Sequence, residues 1–168
     1  SLKPGLGKEL VEKDATTLSV TLQDGTTWSD GSPLTSADVV FTYQLAKDNE
    51  LSFSSVWNYL ESVTAVDERT VEFTCKANTL PVRASIGGQY ILPKAVWEKI
   101  DGGKLQSETN LAPVGSGPYV VDKYDQTQIQ LKKAEKYWGE AVYGVPAINF
   151  VNHPIFKSNS DGDLKLET

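Results

Sequence analysis

The sequence predicts an α+β fold with a mixed, mostly antiparallel sheet and a few helices. Three pairs of short segments with alternating apolar and polar residues lie at 9–22, 60–76 and 118–133, and each pair predicts a hairpin. Between the first two pairs, a strong helix-start signal precedes an amphipathic stretch. The composition, 39% hydrophobic and 23% charged residues in a chain of 168, is that of an ordinary folded protein.

The first predicted hairpin joins residues 9–13 to residues 17–22. The second of these segments, TLSVTL, alternates leucine and valine with threonine and serine, which is typical of a strand with one buried face. The Asp24-Gly25 pair that follows predicts a turn, because glycine adopts positive φ without strain.

The stretch TTWSDGSPLTSADVVFTYQ then specifies where a helix begins. Asp30-Gly31 predicts a second turn, and Thr35 with Asp38 forms a capping box that places a helix at about 36–47. The residues expected to share its buried face are Val39, Val40, Tyr43 and Ala46.

The second hairpin is predicted to turn at Asp67-Glu68 and to place Val71, Phe73 and Cys75 on its inner face. Cys75 is the only cysteine, so no disulfide can form within the chain. Its position in the alternation favours a small, buried apolar side chain.

The remaining sequence predicts shorter elements. Residues 78–92 are ambiguous, with a short helix before the Gly-Gly pair as one interpretation, and Pro93 opens a helix in PKAVWEKI. A loop at 101–119 precedes the third hairpin. A turn in EKYWGEAVYG, a strand in PAINFVN and the polar start of a helix at 157–168 complete the chain.

Charge and composition exclude several functions. The net charge of −6 and the scattered basic residues argue against nucleic acid as a partner. The chain has one histidine, His153, and one cysteine, without the spacing of a metal site or of a nucleophile and base. We therefore predict no catalytic residue, no metal site, no cofactor and no enzymatic activity. No apolar stretch has the length of a membrane-spanning helix, and no signal peptide is visible.

Five motifs occur in one order along the chain: TLQDGTTWSDGSPLTSADVVFTYQ, VTAVDERTVEFTCK, ILPKAVWEKI, PVGSGPYVVDKYD and IQLKKAEKYWG. In this order and spacing they resemble the family 5 extracellular solute-binding proteins. These are receptors of ABC importers for oligopeptides, dipeptides, nickel chelates and some oligosaccharides. The resemblance implies a type II periplasmic binding protein, in which two lobes close on a solute and one lobe carries an extra subdomain.

The resemblance covers only part of such a receptor. It implies that residues 1–110 form the extra subdomain of lobe I and that residues 111–168 return towards the main part of that lobe, with the second lobe absent. The implied partners are a small oligomeric solute, either a sugar or a peptide, and the permease of an ABC transporter. The implied location is periplasmic or extracellular, with membrane attachment only through a lipid anchor outside this chain. A stand-alone protein-interaction module that docks through an exposed sheet edge is the alternative.

The candidate ligand-binding residues are Trp57, Asn58 and Tyr59, because an aromatic ring beside an amide can stack on a sugar or clamp a peptide side chain. The other three tryptophans lie inside the family motifs and are interpreted as scaffold. Trp57 can equally fill the core of the subdomain. If Trp57 contacts the ligand, Trp57→Ala weakens binding by about 1–3 kcal/mol. If Trp57 fills the core, the same substitution leaves the ligand affinity unchanged.

Overall fold

The computed structural model describes residues 5–79, 82–105, 107–108, 110 and 112–156. They fall into two compact units. The first lies within Ser1–Trp28 and Ser32–Glu108, and the second within Ser29–Gly31 and Thr109–Thr168. Each unit contains an antiparallel sheet with short helices, which confirms the predicted α+β fold.

The first unit is built on a four-stranded antiparallel sheet. Its strands are β1 (Gly7–Glu12), β2 (Thr17–Leu22), β3 (Leu60–Ala65) and β4 (Thr70–Cys75), in the order β1-β2-β4-β3. The pairing of β1 with β2 and of β3 with β4 confirms the first two hairpins. Alternate side chains of the two central strands are buried on one face, among them Leu18, Val71, Phe73 and Cys75.

Helix α1 (Ser36–Asp48) covers this sheet and begins at the predicted capping box. Oδ2 of Asp38 accepts a hydrogen bond from the Thr35 backbone N–H at 2.9 Å. The two turns before the helix also form as expected, because Gly25 and Gly31 have φ of 68° and 86°.

The buried face of α1 differs from the prediction in being partly polar. Val40 is only half-buried, whereas Asp38 and Thr42 are buried. The Thr42 hydroxyl donates to the Asp38 carbonyl at 2.7 Å and accepts from the Leu92 backbone N–H at 2.9 Å. Oδ1 of Asp38 accepts from the Lys94 backbone N–H at 2.9 Å. Buried polar side chains of α1 therefore hold the segment that follows the Gly-Gly pair.

Two short helices and two 3₁₀ turns complete the first unit. Helix α2 (Arg83–Gly87) lies in the stretch that the sequence left ambiguous. Helix α3 (Lys94–Trp97) begins after Pro93 as predicted but is only 4 residues long, so it ends before the predicted segment does. The 3₁₀ turns are Ser54–Asn58 and Gly102–Lys104.

The second unit contains β5 (Tyr119–Tyr124), β6 (Gln128–Lys133) and β7 (Phe150–Pro154), paired antiparallel in that order. The third predicted hairpin and the strand after it are therefore confirmed. The predicted turn between β6 and β7 instead contains the short helix α4 (Glu140–Tyr143). The helix predicted at 157–168 lies outside the described residues.

Three hairpin connections each contain an aspartate whose carboxylate accepts hydrogen bonds from residues further along the chain. In the second hairpin, Oδ1 of Asp67 accepts from the backbone N–H groups of Arg69 and Thr70, each at 2.8 Å. Asp14 and Asp125 occupy the equivalent place in the other two connections. In all three, bonds from the residue two positions ahead favour the carboxylate and lower its pKa below the usual 3.8.

These lowered pKa values predict a stability that falls in acid. The unfolded chain binds protons first, so the contribution of each carboxylate is complete above about pH 4 and is lost as the pH falls through its folded pKa. A variant with all three aspartates changed to asparagine keeps hydrogen-bond acceptors that do not titrate. We expect its thermal midpoint to fall less steeply between about pH 4 and pH 2 than that of the unmodified protein. Parallel curves for the two proteins would contradict this assignment.

Candidate functional site

The 3₁₀ turn Ser54–Asn58 carries the first candidate residue, Trp57, which is half-buried against α1. Its indole N–H donates to the Tyr43 carbonyl at 2.9 Å. The ammonium group of Lys47 lies 4.2 Å from the centroid of the indole ring, a cation–π contact. Lys76 Nζ donates to the Trp57 carbonyl at 2.9 Å. The ring and the backbone of Trp57 are thus both engaged by the first unit itself.

Asn58 and Tyr59 lie differently, because both are exposed and both line a pocket of about 350 Å³. We call it the polar pocket. Trp57 is not among its lining residues. The structure therefore brings two of the three candidate residues together in one pocket, and the third, Trp57, does not line it.

Hydrogen-bonding side chains dominate the polar pocket. Six of its eight lining residues carry such groups, namely Ser52, Ser55, Asn58, Tyr59, Ser85 and Gln89. None of the described residues that line it is charged. Its apolar members are the buried Val56 and the ring of Phe53, which lies edge-on to Tyr43 with the ring centroids 6.1 Å apart.

The sequence indicated only two of the eight residues that line this pocket, Asn58 and Tyr59. Ser85 belongs to α2 and Gln89 follows it, in the stretch that gave no clear periodicity. The run KDNELSFSS before Trp57 contains Ser52, Phe53 and Ser55, but its polar composition by itself indicates only a break between elements. Two separate chain segments form the pocket, and a single sequence does not show that they meet.

A second pocket, of about 320 Å³, is mainly apolar and lies over one side of the sheet in the first unit. Its walls include Leu10, Val20, Tyr43, Phe73 and Ile86. Of these residues, Tyr43 and Phe73 belong to the core and Leu10 is exposed. The hydrogen-bonding or charged side chains in the wall are those of Lys8, Glu9, Tyr43 and Gln89. The predicted site residues do not line it.

The two residues considered for catalysis lie in different units. Cys75 is buried at the end of β4, and burial raises the pKa of its thiol, which disfavours the nucleophilic thiolate. His153 is exposed on β7, where its backbone pairs with Ile129.

Within the described ranges, no three His, Cys, Asp or Glu side chains lie close enough together to bind a metal ion. None of the helices in that part of the chain is both long and apolar enough to cross a membrane.

Removing the hydrogen bond from the Trp57 indole to α1 should lower the stability of the protein measurably. Trp57→Phe keeps an aromatic ring but removes the N–H that Tyr43 accepts, and we expect the free energy of unfolding to fall by about 1 kcal/mol. Tyr90→Phe is the control, because it removes a hydroxyl from a side chain that is 90% exposed and should change stability by less than about 0.5 kcal/mol. Urea unfolding of the two variants gives the comparison. Equal stabilities would show that the indole bond contributes nothing.

The family model described as "Bacterial extracellular solute-binding proteins, family 5 Middle" matches residues 1–168. Over 152 residues, the chain is 30% identical to the probable peptide-binding protein YejA of Agrobacterium fabrum, covering 87% of this chain and 25% of that protein. Over 148 residues it is 34% identical to protein XP55 of Streptomyces lividans, covering 83% and 26%.

Solved structures give a consistent result. One is the mannohexaose-bound periplasmic oligopeptide-binding protein of an ABC transporter from Thermotoga maritima. It matches 98% of this chain with a TM-score of 0.88 and 32% identity, and the match covers 31% of that protein. The substrate-binding protein CtaP from Listeria monocytogenes matches 98% of the chain with a TM-score of 0.82 and 31% identity, over 34% of its own length. The chain therefore spans about a quarter to a third of the length of these relatives.

Proposed function

The chain belongs to family 5 of the bacterial extracellular solute-binding proteins, and from that premise we propose that its full-length gene product captures an oligosaccharide or an oligopeptide for an ABC importer. One observation carries the proposal. Nearly the whole chain matches, at 32% identity, a periplasmic oligopeptide-binding protein whose structure holds mannohexaose. On this proposal the protein binds and releases its solute, and no bond of the solute is made or broken.

The internal rigidity of the first unit supports such a role. A lobe that closes on a solute as one body must not deform internally, and the ligand shifts the balance between open and closed forms. Here α1 is fixed at its start by the capping box and is joined to the following segments through Asp38 and Thr42. The polar pocket is therefore carried by a well-ordered scaffold.

We assign residues 1–110 to the extra subdomain of lobe I and residues 111–168 to the segment that returns to the main part of that lobe. The second unit exposes several large apolar side chains, including Val145 (65%), Ile148 (60%) and Phe150 (56%). Exposed apolar groups in this number are typical of a surface that another part of a protein covers. The greater length of the relatives supports the same assignment.

For the binding site, we propose that Asn58 and Tyr59 contact the solute and that Trp57 contributes by holding the turn that presents them. This division follows the exposure of the first two residues and the engagement of the indole by Tyr43 and Lys47. The permease of an ABC transporter is the proposed protein partner. The proposed location is periplasmic or extracellular, with a lipid anchor as the only attachment to the membrane.

Small-angle X-ray scattering of the full-length gene product tests the receptor proposal. We expect the radius of gyration to fall when a bound oligosaccharide or oligopeptide closes the two lobes. The alternative, an interaction module, has the exposed Leu10 and Val11 of edge strand β1 in its favour. That alternative predicts an unchanged radius with every solute, and such a result would contradict the receptor proposal.

A further inference from the structure

We propose that the polar pocket is a subsite for one ring of a neutral oligosaccharide, with Tyr59 as the residue that stacks on the sugar. This inference rests on the proposed receptor function and narrows its ligand to one chemical class. The volume of about 350 Å³ falls at the lower end of the range of small-molecule sites, about 300–1,000 Å³. One unit of an oligomer is a ligand of suitable size for it.

The hydrogen-bonding groups of the pocket match the chemistry of a sugar. Serine hydroxyls and the carboxamides of Asn58 and Gln89 both donate and accept, as sugar hydroxyls do. Among the described residues, none accepts from or donates to the side chains of Ser52, Ser55 and Asn58. These groups are therefore available to a ligand.

The absence of charge among the described lining residues disfavours the ends of a peptide. A peptide carries an ammonium group at one end and a carboxylate at the other, and enclosing either without an opposite charge is costly. Two ammonium groups act on Trp57: that of Lys47 lies over its ring and that of Lys76 donates to its carbonyl. Neither lysine lines the polar pocket. A neutral ligand incurs no such cost in this pocket.

The stacking surface is provided by Tyr59 rather than by Trp57. Tyr59 is 52% exposed. Trp57 is less exposed than Tyr59, and its ring already contacts the Lys47 ammonium group. Tyr90, which directly follows Gln89, is 90% exposed but does not line the polar pocket. Exposed aromatic rings beside hydroxyl and amide groups favour binding of a ligand with alternating apolar C–H faces and polar edges.

The subsite is also held in place before any ligand binds. The Tyr59 backbone N–H donates to the Val56 carbonyl at 3.0 Å, which fixes the end of the 3₁₀ turn. On the opposite wall, Nε2 of Gln89 donates to the Ser85 carbonyl at 3.3 Å. Because these walls are already ordered, little conformational freedom is lost when a sugar ring binds.

Isothermal titration calorimetry of the full-length gene product tests the inference. The probes are neutral hexasaccharides, namely mannohexaose, cellohexaose, maltohexaose and xylohexaose, and a matched set of tripeptides to nonapeptides. We expect at least one hexasaccharide to bind with one-to-one stoichiometry. Its affinity should be the same at about 0.05 and about 0.5 M salt, because an uncharged ligand leaves no charge interaction to screen.

Three variants in the polar pocket and one control locate the bound sugar. Tyr59→Ala should weaken the hexasaccharide affinity about 10-fold or more, while Tyr59→Phe should keep most of it because the ring remains. Tyr124→Ala is the matched control, because Tyr124 is 56% exposed on β5 and lines no part of the polar pocket. Gln89→Ala removes an amide from the opposite wall and should also weaken binding.

The outcomes separate this inference from the receptor proposal. Binding of peptides without binding of any hexasaccharide overturns the sugar subsite and leaves the receptor proposal standing. Hexasaccharide binding that is unchanged in both Tyr59→Ala and Gln89→Ala overturns the assignment of the polar pocket. Binding of neither class overturns both proposals.

Discussion

Replacing Tyr43 by alanine is expected to lower the free energy of unfolding by about 3–5 kcal/mol, the range for removing a large buried aromatic side chain. Tyr43 is 1% exposed. Its ring meets Phe73 of the sheet edge-on, with the centroids 5.2 Å apart, and also meets Phe53 beneath the polar pocket. One side chain thus joins α1, the sheet and a wall of the candidate site, so we also expect Tyr43→Ala to weaken solute binding.

Chemical denaturation of the full-length gene product measures this loss, with Tyr43→Phe as the control. The hydroxyl donates to the Ile86 carbonyl over a long 3.4 Å, so its removal should cost less than about 1 kcal/mol. Burial raises the pKa of the Tyr43 hydroxyl well above its usual range, so the phenol is neutral at physiological pH and no charge effect enters the comparison. Equal losses in the two variants would contradict the packing role assigned to the ring.

Asp38→Ala is expected to lower the free energy of unfolding by about 2–4 kcal/mol, because it removes a helix cap and leaves a second donor without its acceptor. The two carboxylate oxygens accept from the backbone N–H groups of Thr35 and Lys94. Asp38 is 6% exposed, so water replaces these bonds poorly. The loss should therefore exceed that of a cap on an exposed helix.

The matched control is Asp48→Ala at the other end of the same helix. Asp48 is exposed, and among the described residues its carboxylate accepts only from the Gln44 side chain, so its replacement should cost less than about 0.5 kcal/mol. Asp38→Asn should fall between the two, since one amide oxygen can keep one of the two acceptor roles. Thermal and urea unfolding of the three variants provide the test. A loss at Asp38 no greater than that at Asp48 would show that the bond to Lys94 is unimportant.

The strands and turns were predictable because their signals are local. Alternation in TLSVTL and TVEFTC places apolar residues on one face, and the glycines at positions 25 and 31 mark turns where φ is positive. The capping box likewise depends on residues only three positions apart. These features need no knowledge of the rest of the fold.

The polar side of α1 was missed because its partners are distant in sequence. Thr42 and Asp38 are polar, so a count of apolar positions passes over them and selects Val40 instead. Their burial becomes intelligible only when Leu92 and Lys94 are seen to donate to them, more than 49 residues further along. The short helices α2 and α4 were missed or left open for a similar reason, because 4 or 5 residues carry too little periodicity.

The candidate site shows the same limit. The composition around Trp57 favours residues 57–59 as a candidate site, but it does not show that the indole faces α1 while Tyr59 faces solvent. That distinction depends on the 3₁₀ turn, in which successive side chains point about 120° apart. Ser85 and Gln89 join the pocket only through the tertiary fold.

We propose that the first unit forms a wall of a site that binds a solute without altering it. Equilibrium dialysis of the full-length gene product against an oligosaccharide and oligopeptide mixture, followed by mass spectrometry of the bound fraction, tests this most directly. The account predicts one solute molecule per protein, recovered with its mass unchanged after long incubation. Recovery of cleaved or modified solute, or of no solute at all, would contradict it.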